Sequence, residues 1–384
     1  MNVVGIMSGT SLDGVDYALC RIERGRIRLL EFESRRYPVR LRGRLEAAAA
    51  NESDAHELGQ LHHDLGRFYA RRFPFAKERV DLAGLHGQTV FHHPNPKTPA
   101  TLQLGEPSYL CETAGCPVVG NFRAADIAAG GQGAPLATAF HAIAFRDARK
   151  TVAVNNLGGI SNVTLIRPQC ADGTGVVERS FDTGPGVMTI DLAVGRLTSG
   201  KLTMDKGGKL AAKGVVDHGA VRRWLKAPWF RRKPPKSTGR ELFGEVFLER
   251  VLSELKGQSP ETVVATLTEF TAKSISEAYR KHLAERPDRV VLCGGGALNE
   301  TLVARIGHAL REDVGKKVET LTCVEQGWPA QAVEPAAFAW LAWLRWKRKP
   351  YPHWKTTGAD RAVVLGQLLE NDVPARGLKP STPR

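Results

Sequence analysis

The chain has 384 residues, with 54 Lys and Arg against 40 Asp and Glu, a formal charge of +14, and 42% hydrophobic residues. That length exceeds the roughly 250–300 residues at which single cores stop growing, so two cores are expected. No apolar run approaches the roughly 20 residues of a membrane span, which excludes a helical membrane protein.

Residues 2–7 read as a strand with no basic segment or small-residue cleavage site before them, so no secretory signal is expected. VVGIMSGTSLDGVDYALCRI (3–22) is an apolar run, a turn of Gly, Ser, Thr and Asp, and a second apolar run. It lacks both the Lys-Ser/Thr ending of a P-loop and the three spaced glycines of a dinucleotide site. After a turn at Glu23-Arg24-Gly25, residues 25–39 alternate as a third strand, and 43–73 carry apolar residues at helical spacing. A strand then runs through 80–94 into a polar loop. Residues 101–136 give a strand, a helix, a short strand at 117–120 and a glycine-rich loop.

At 151 the opening pattern returns: TVAVNNLGGISNVTLIRP is again strand, glycine turn and strand. Two such units describe a duplicated βββ core, one copy per half, although two hairpins can also look alike by chance. A third glycine turn, Gly294-Gly295-Gly296, follows the strand in DRVVLCGGGALNETLVARIGHAL, with a helix expected from Ala297 and Leu298. Without Cβ atoms it allows a flat ligand close to the backbone.

A hairpin turn can hold phosphate oxygens on backbone N–H groups and hydroxyls. Ser8, Thr10 and Ser11 supply hydroxyls here, and Gly9 and Gly14 allow the approach. Asp13 and Asp16 would repel a bare phosphate; they suit a phosphate accompanied by Mg²⁺, or are plain turn formers. Two facing phosphate turns and an adenosine turn describe an ATP clamp between two lobes.

Six scattered cysteines form no Cys-x-x-Cys pair, which argues against a disulfide framework and structural zinc and points to a reducing cytoplasm. His92-His93 lack a third ligand at convincing spacing, so no protein-held metal is assigned. The charge concentrates in 221–240 and 344–355, where aromatics interleave with Arg and Lys. Such segments suit nucleic-acid contact or a solvated amphipathic helix end; the second reading is adopted, with neither nucleic acid nor membrane as partner. Asp205 is read as a helix cap.

Eight motifs then carry a resemblance: GIMSGTSLDGVD, LHGQTVFHHP, NFRAADIAAGGQGAPLATAFH, NNLGGISN, FDTGPG, PPKSTGRELFG, CGGGALN and TTGADRAVVLG. In this order, from residue 3 to about 366, the chain resembles the anhydro-N-acetylmuramic acid kinases of the actin/hexokinase/Hsp70 superfamily. The resemblance implies an α/β, two-lobed, actin-like ATPase fold (ribonuclease H-like, duplicated) with a cleft between lobes. One lobe would take 1–137 with 336–384, the other 138–335, with hinges near 135–140 and 335–340. It also implies a cytoplasmic homodimer that uses ATP and Mg²⁺ to cleave and phosphorylate 1,6-anhydro-N-acetylmuramic acid in murein recycling.

By that resemblance Asp182 is the catalytic base, expected to stand ionised and exposed at a turn, with Glu334 as a second carboxylate near the sugar. Gly9, Thr10, Ser11, Leu12, Asp13, Gly14, Val15 and Asp16 would bind ATP, with Asn156, Gly158, Gly159, Gly294, Gly295, Gly296 and Asn299. Arg123 and His86 are candidate sugar contacts, since a guanidinium pairs with the lactyl carboxylate; His86 reads equally as a structural histidine. Magnesium would be held through ATP phosphates, with Asp13 as candidate ligand. Val187, Gln331 and Pro335 depart from the family pattern, and residues 367–384 read as a disordered tail. The rival readings are another sugar kinase of the superfamily, an Hsp70-like ATPase module and a nucleic-acid-binding protein.

Overall fold

A computed structural model describes residues 1–9, 12–93, 98–168, 176–234, 236–314 and 317–370. Thr10 and Ser11 of the first turn, and the end of the chain from residue 371, lie outside the described residues.

In chain order the elements are β1 (Asn2–Ser8), β2 (Gly14–Glu23), β3 (Arg26–Arg36), α1 (Val39–Ala49), α2 (Ala55–Arg71), β4 (Leu82–His93) and β5 (Ala100–Leu104). There follow α3 (Ser108–Ala114), β6 (Val118–Gly120), α4 (Ala124–Ala128), α5 (Thr138–Ala144), β7 (Val152–Leu157), β8 (Ile160–Arg167), β9 (Val176–Pro185) and α6 (Met188–Leu197). The rest are α7 (His218–Trp224), α8 (Arg240–Phe243), α9 (Glu245–Glu254), α10 (Pro260–His282), β10 (Arg289–Cys293), α11 (Glu300–Val314), β11 (Glu319–Thr322), α12 (Val333–Trp346) and β12 (Gln367–Leu369).

Residues 145–330 form one compact unit and the remaining described chain another. Each has its own sheet. In the first, β3-β2-β1-β4-β6 run in that order, with β12 beyond β6 and β5 paired to β4; in the second the order is β9-β8-β7-β10-β11. In both, the first three strands are antiparallel neighbours and the fourth and fifth run parallel to the first. This 3-2-1-4-5 order is the ribonuclease H-like arrangement, and the chain carries it twice. The two strand-turn-strand patterns in the sequence are the first two strands of each copy.

Three expectations are corrected. Residues 138–144 and 331–335 belong to the first unit, because α12 is continuous from Val333 and packs on β1, β4 and α5. The single helix expected over 43–73 is two. Asn51 turns to φ 63°, and Asp54 starts α2 by accepting the Glu57 N–H at 2.8 Å. Gln367–Leu369, read as the start of a disordered tail, pair antiparallel with Val118–Gly120.

The aromatics of 221–240 are core residues. Trp224, Trp229 and Phe230 are buried in a cluster with Phe243 and Phe270, so their rings are not presented to solvent for stacking on bases. Among the described residues no helix is long and apolar enough to cross a membrane.

Candidate functional site

In the first unit, β1 and β2 end on the first glycine turn. Beneath it lies a buried hydroxyl network: the Tyr37 hydroxyl donates to Ser8 Oγ at 2.8 Å, and Tyr69 OH lies 3.0 Å from the same oxygen. Ser8 is therefore an anchor of the turn rather than a hydroxyl free for phosphate. Gln88 Nε2 donates to the Gly9 carbonyl at 2.9 Å, tying the turn to β4. Leu12 and Val15 point into the core, 7% and 0% exposed, so a ligand at this turn meets only their backbone. Leu12 takes φ 57°, which turns the chain into β2.

Asp16 is half-buried, and burial pushes its carboxyl up to about 6; Ser34 opposes this by hydrogen bonding, while the Asp13 and Glu334 carboxylates add to it. Glu334 lies in the first turn of α12. Crowded carboxylates of this kind suit a hard divalent cation such as Mg²⁺, which takes one or two carboxylates together with phosphate and water. Among the described residues no three His, Cys, Asp or Glu side chains form a closed metal cage.

Arg123 sits at the N-terminus of α4 with its guanidinium fixed on two sides. Its Nε and Nη2 donate to His86 Nε2 at 3.2 and 2.8 Å, and its Nη1 donates to the Gly133 carbonyl at 2.5 Å. His86 Nδ1 donates to the Gly87 carbonyl at 2.7 Å, which fixes the neutral tautomer. Burial, reinforced by the Arg123 charge, holds His86 well below its usual range. His86 is 4% exposed with both ring nitrogens engaged, so it orients Arg123 rather than meeting a ligand itself. Burial lowers Arg123 to about 10, against the pull of Glu334 and Asp126, so it stays charged at neutral pH.

Asp126 is a residue that sequence reasoning passed over. Fully buried, it accepts the Gly133 N–H at 2.8 Å and the Thr357 hydroxyl at 2.6 Å. It thereby joins the glycine-rich loop to TTGADRAVVLG, two motifs more than 200 residues apart. Its signal was an Asp just before a run of glycines.

In the second unit three glycine segments converge around Leu157. The Gly158 and Gly159 carbonyls accept N–H bonds from Val187 and Gly186, each at 2.9 Å. A Cβ on Gly186 would lie 2.0 Å from the Gly158 oxygen, and one on Gly296 would lie 2.7 Å from Leu157 Cβ and 2.9 Å from Val187 Cγ1. A Cβ on Gly294 would lie 2.5 Å from Asn156 Oδ1, whereas Gly295 faces open space. The expected turns are thus brought together, with Gly295 as the open approach. Asn299 is spent otherwise: its Oδ1 accepts the Leu302 N–H at 2.9 Å and caps α11, which starts at Glu300 after a short 3₁₀ turn. Asp205 caps a 3₁₀ segment, accepting the Leu210 and Ala211 N–H groups at 2.8 and 3.0 Å.

Asp182 lies inside β9, not at a turn. Asn162 pairs with Asp182 and Ser161 with Gly184, so Thr183 is bulged, a device that re-aims neighbouring side chains. Residues 236–238 of PPKSTGRELFG run along this edge: the Asp182 N–H donates to the Lys236 carbonyl at 3.1 Å, and the Thr238 N–H donates to Asp182 Oδ2 at 2.9 Å. The carboxyl is half-buried, and burial pushes it up to about 7, against the Thr238 N–H and the Lys236 charge. The expectation of an exposed, already ionised Asp is corrected accordingly. Thr238 Oγ1 is buried beside it with no hydrogen-bond partner among the described residues.

A doubled ribonuclease H-like fold with a glycine turn closing each hairpin defines the class: the two-unit actin-like ATPases and kinases. The family model described as anhydro-N-acetylmuramic acid kinase matches residues 1–371, and the chain belongs to that family. The match includes β12, beyond the limit expected near residue 366. A relative of that name from Gloeobacter violaceus is 41% identical over 379 residues, covering 95% of this chain and 97% of its own. One from Bacillus cereus (strain ZK / E33L) is 38% identical over 388 residues, covering 96% and 99%. Among solved structures, the activator of the 2-hydroxyisocaproyl-CoA dehydratase from Clostridium difficile with bound ADPNP aligns at TM-score 0.43 and 12% identity, covering 89% and 94%.

Proposed function

We propose that the chain catalyses the reaction of its family: ATP-dependent cleavage of the 1,6-anhydro bond of 1,6-anhydro-N-acetylmuramic acid with phosphorylation of O6. The products are N-acetylmuramic acid 6-phosphate and ADP. The observation that carries the reading is Asp182, held by strand bulge and backbone N–H with a carboxyl near neutral pKa. A base of that strength accepts a proton at neutral pH.

The oxygen of a water attacks C1 as the C1–O6 bond breaks, and the water's proton passes to Asp182. O6 takes the γ-phosphoryl group, so no general acid is needed at that oxygen; the bond to the β-phosphate breaks and ADP leaves. The nucleotide contacts carried over from the family are backbone groups at Gly9, Asp13 and Gly14 in the first unit and at Gly158, Gly159 and Gly295 in the second. Asp13 and Asp16 would hold Mg²⁺ that arrives with the nucleotide, and the ion would supply charge neutralisation there. Glu334 orients water or a sugar hydroxyl, and Arg123 pairs with the lactyl carboxylate. Cys20 and Cys116 are buried and, among the described residues, stand in no disulfide, which suits a reducing cytoplasm. The family resemblance supports a homodimer, which light scattering would test.

Incubation with ATP, Mg²⁺ and the anhydro-sugar in ¹⁸O-labelled water tests the chemistry. Label is expected on the anomeric carbon and phosphate on O6; unlabelled phosphorylated sugar sinks the combined reaction. Arg123→Ala should raise the sugar KM roughly tenfold to a hundredfold, the worth of a charged hydrogen bond. His86→Ala should raise it less, because His86 acts through Arg123. Initial rates over sugar concentration check both, and an unchanged KM in Arg123→Ala removes the contact.

A further inference from the structure

Lys236 has no place in the chemistry above, yet it is 9% exposed. Its ammonium stands 4.2 Å from the centroid of the Trp229 ring. A buried ammonium is costly without compensation, and a Met would fill the same space at less cost. The Trp229 ring offsets part of that penalty. Lys236 is also bound backbone to backbone with Asp182, and Thr238, two residues on, donates to the carboxylate. The side chains lie within each other's field without closing into an ion pair.

We propose that Lys236 is the positioning residue of Asp182: a buried counter-charge, aimed by Trp229 and the edge of β9, that keeps this carboxylate ionised and oriented as a base. The proposal rests on reading Asp182 as the proton acceptor. The charged groups around the pair divide clearly. Asp182 feels Lys236, which favours its ionised form, and Glu241, which opposes it. Lys236 feels Lys281, which disfavours its charge, and Asp182, which favours it. His282, beside Lys236, Lys281 and Arg179, is held neutral down to about 4, chiefly by burial. Burial and Lys281 lower Lys236 to about 8, while Asp182 ionises near 7, so both carry charge in the window between.

The test combines ¹³C-carboxyl NMR of Asp182, assigned by the signal lost in Asp182→Asn, with the pH dependence of kcat/KM. In Lys236→Met the Asp182 midpoint should rise by about one unit. The acid limb of kcat/KM should move with it, while Lys236→Arg restores both toward wild type. An unmoved Asp182 midpoint in a folded Lys236→Met variant overturns the proposal, because a purely structural lysine would leave it in place. A midpoint that moves while the acid limb stays upholds Lys236 and instead removes Asp182 as the base. Should Lys236→Met fail to fold, the exposed Lys281→Met serves: loss of the opposing charge should carry the alkaline limb to higher pH. An unmoved alkaline limb there overturns the proposal equally.

Discussion

Replacing Asp182 by Asn should lower kcat by about 10²–10⁴-fold, the usual worth of a positioned general base, while nucleotide affinity stays within about twofold. The amide keeps the acceptor for the Thr238 N–H, so the fold of the 236–238 segment is retained. In the wild type, activity should fall as pH drops through about 7, where the carboxyl takes up a proton. The same displacement has a signature in stability. Between about 4 and 7 the folded state binds a proton that the unfolded chain has released, so this group's contribution weakens as pH rises across that window. The Asn variant should lose that slope and be the more stable protein at pH 8. Steady-state kinetics, nucleotide titration and melts at several pH values read all of this. A variant with near-normal turnover would remove Asp182 from the role.

Gly5→Val should be the most damaging single change in the first unit. A Cβ on Gly5 would stand 1.7 Å from the Pro335 carbonyl oxygen and 2.7 Å from the Ala339 nitrogen. Gly84, on the neighbouring strand, leaves the same kind of space for Phe338, whose carbonyl would be 2.4 Å from its Cβ. These glycines let α12 lie directly on the sheet, and that close approach sets the position of Glu334, the residue next to the Pro335 contact. A side chain at residue 5 must lift the helix, and overpacking of a dense core costs about 3 kcal/mol. The denaturation midpoint should drop accordingly, and residual folded enzyme should show reduced kcat because Glu334 has moved. A midpoint within error of wild type would contradict the packing account.

The parts of the fold legible in the sequence were those set by local pattern. The runs at 3–22 and 151–168 alternate short-range apolar segments with glycine turns, and both became the antiparallel start of a sheet. Interruptions were harder to see: Asn51 and Asp54 sit within a continuous helical pattern, yet a left-handed residue and a side-chain cap divide it. Pairings distant in sequence were not visible at all. Nothing near Gln367 says that it meets Gly120, and nothing near Asp182 says that Lys236 and Thr238 will border it. The same reason explains Ser8 and Leu12. Their residue types suit a phosphate turn, but tertiary packing sends one to two tyrosines and the other to the core. The shifted carboxyl of Asp182 was hidden too, since burial is a property of the folded chain.

The first unit is assembled from both ends of the polypeptide, while residues 145–330 are continuous. During synthesis the later-encoded unit is therefore the first to have all its strands and helices outside the ribosome. The N-terminal sheet must wait for α12 and its edge strand, holding the bare flank of β6 and the glycine faces of β1 and β4 open until residues 333–369 emerge. Loss of residues 333–369 would consequently strand the beginning of the protein in an unfinished state, though no residue there had changed.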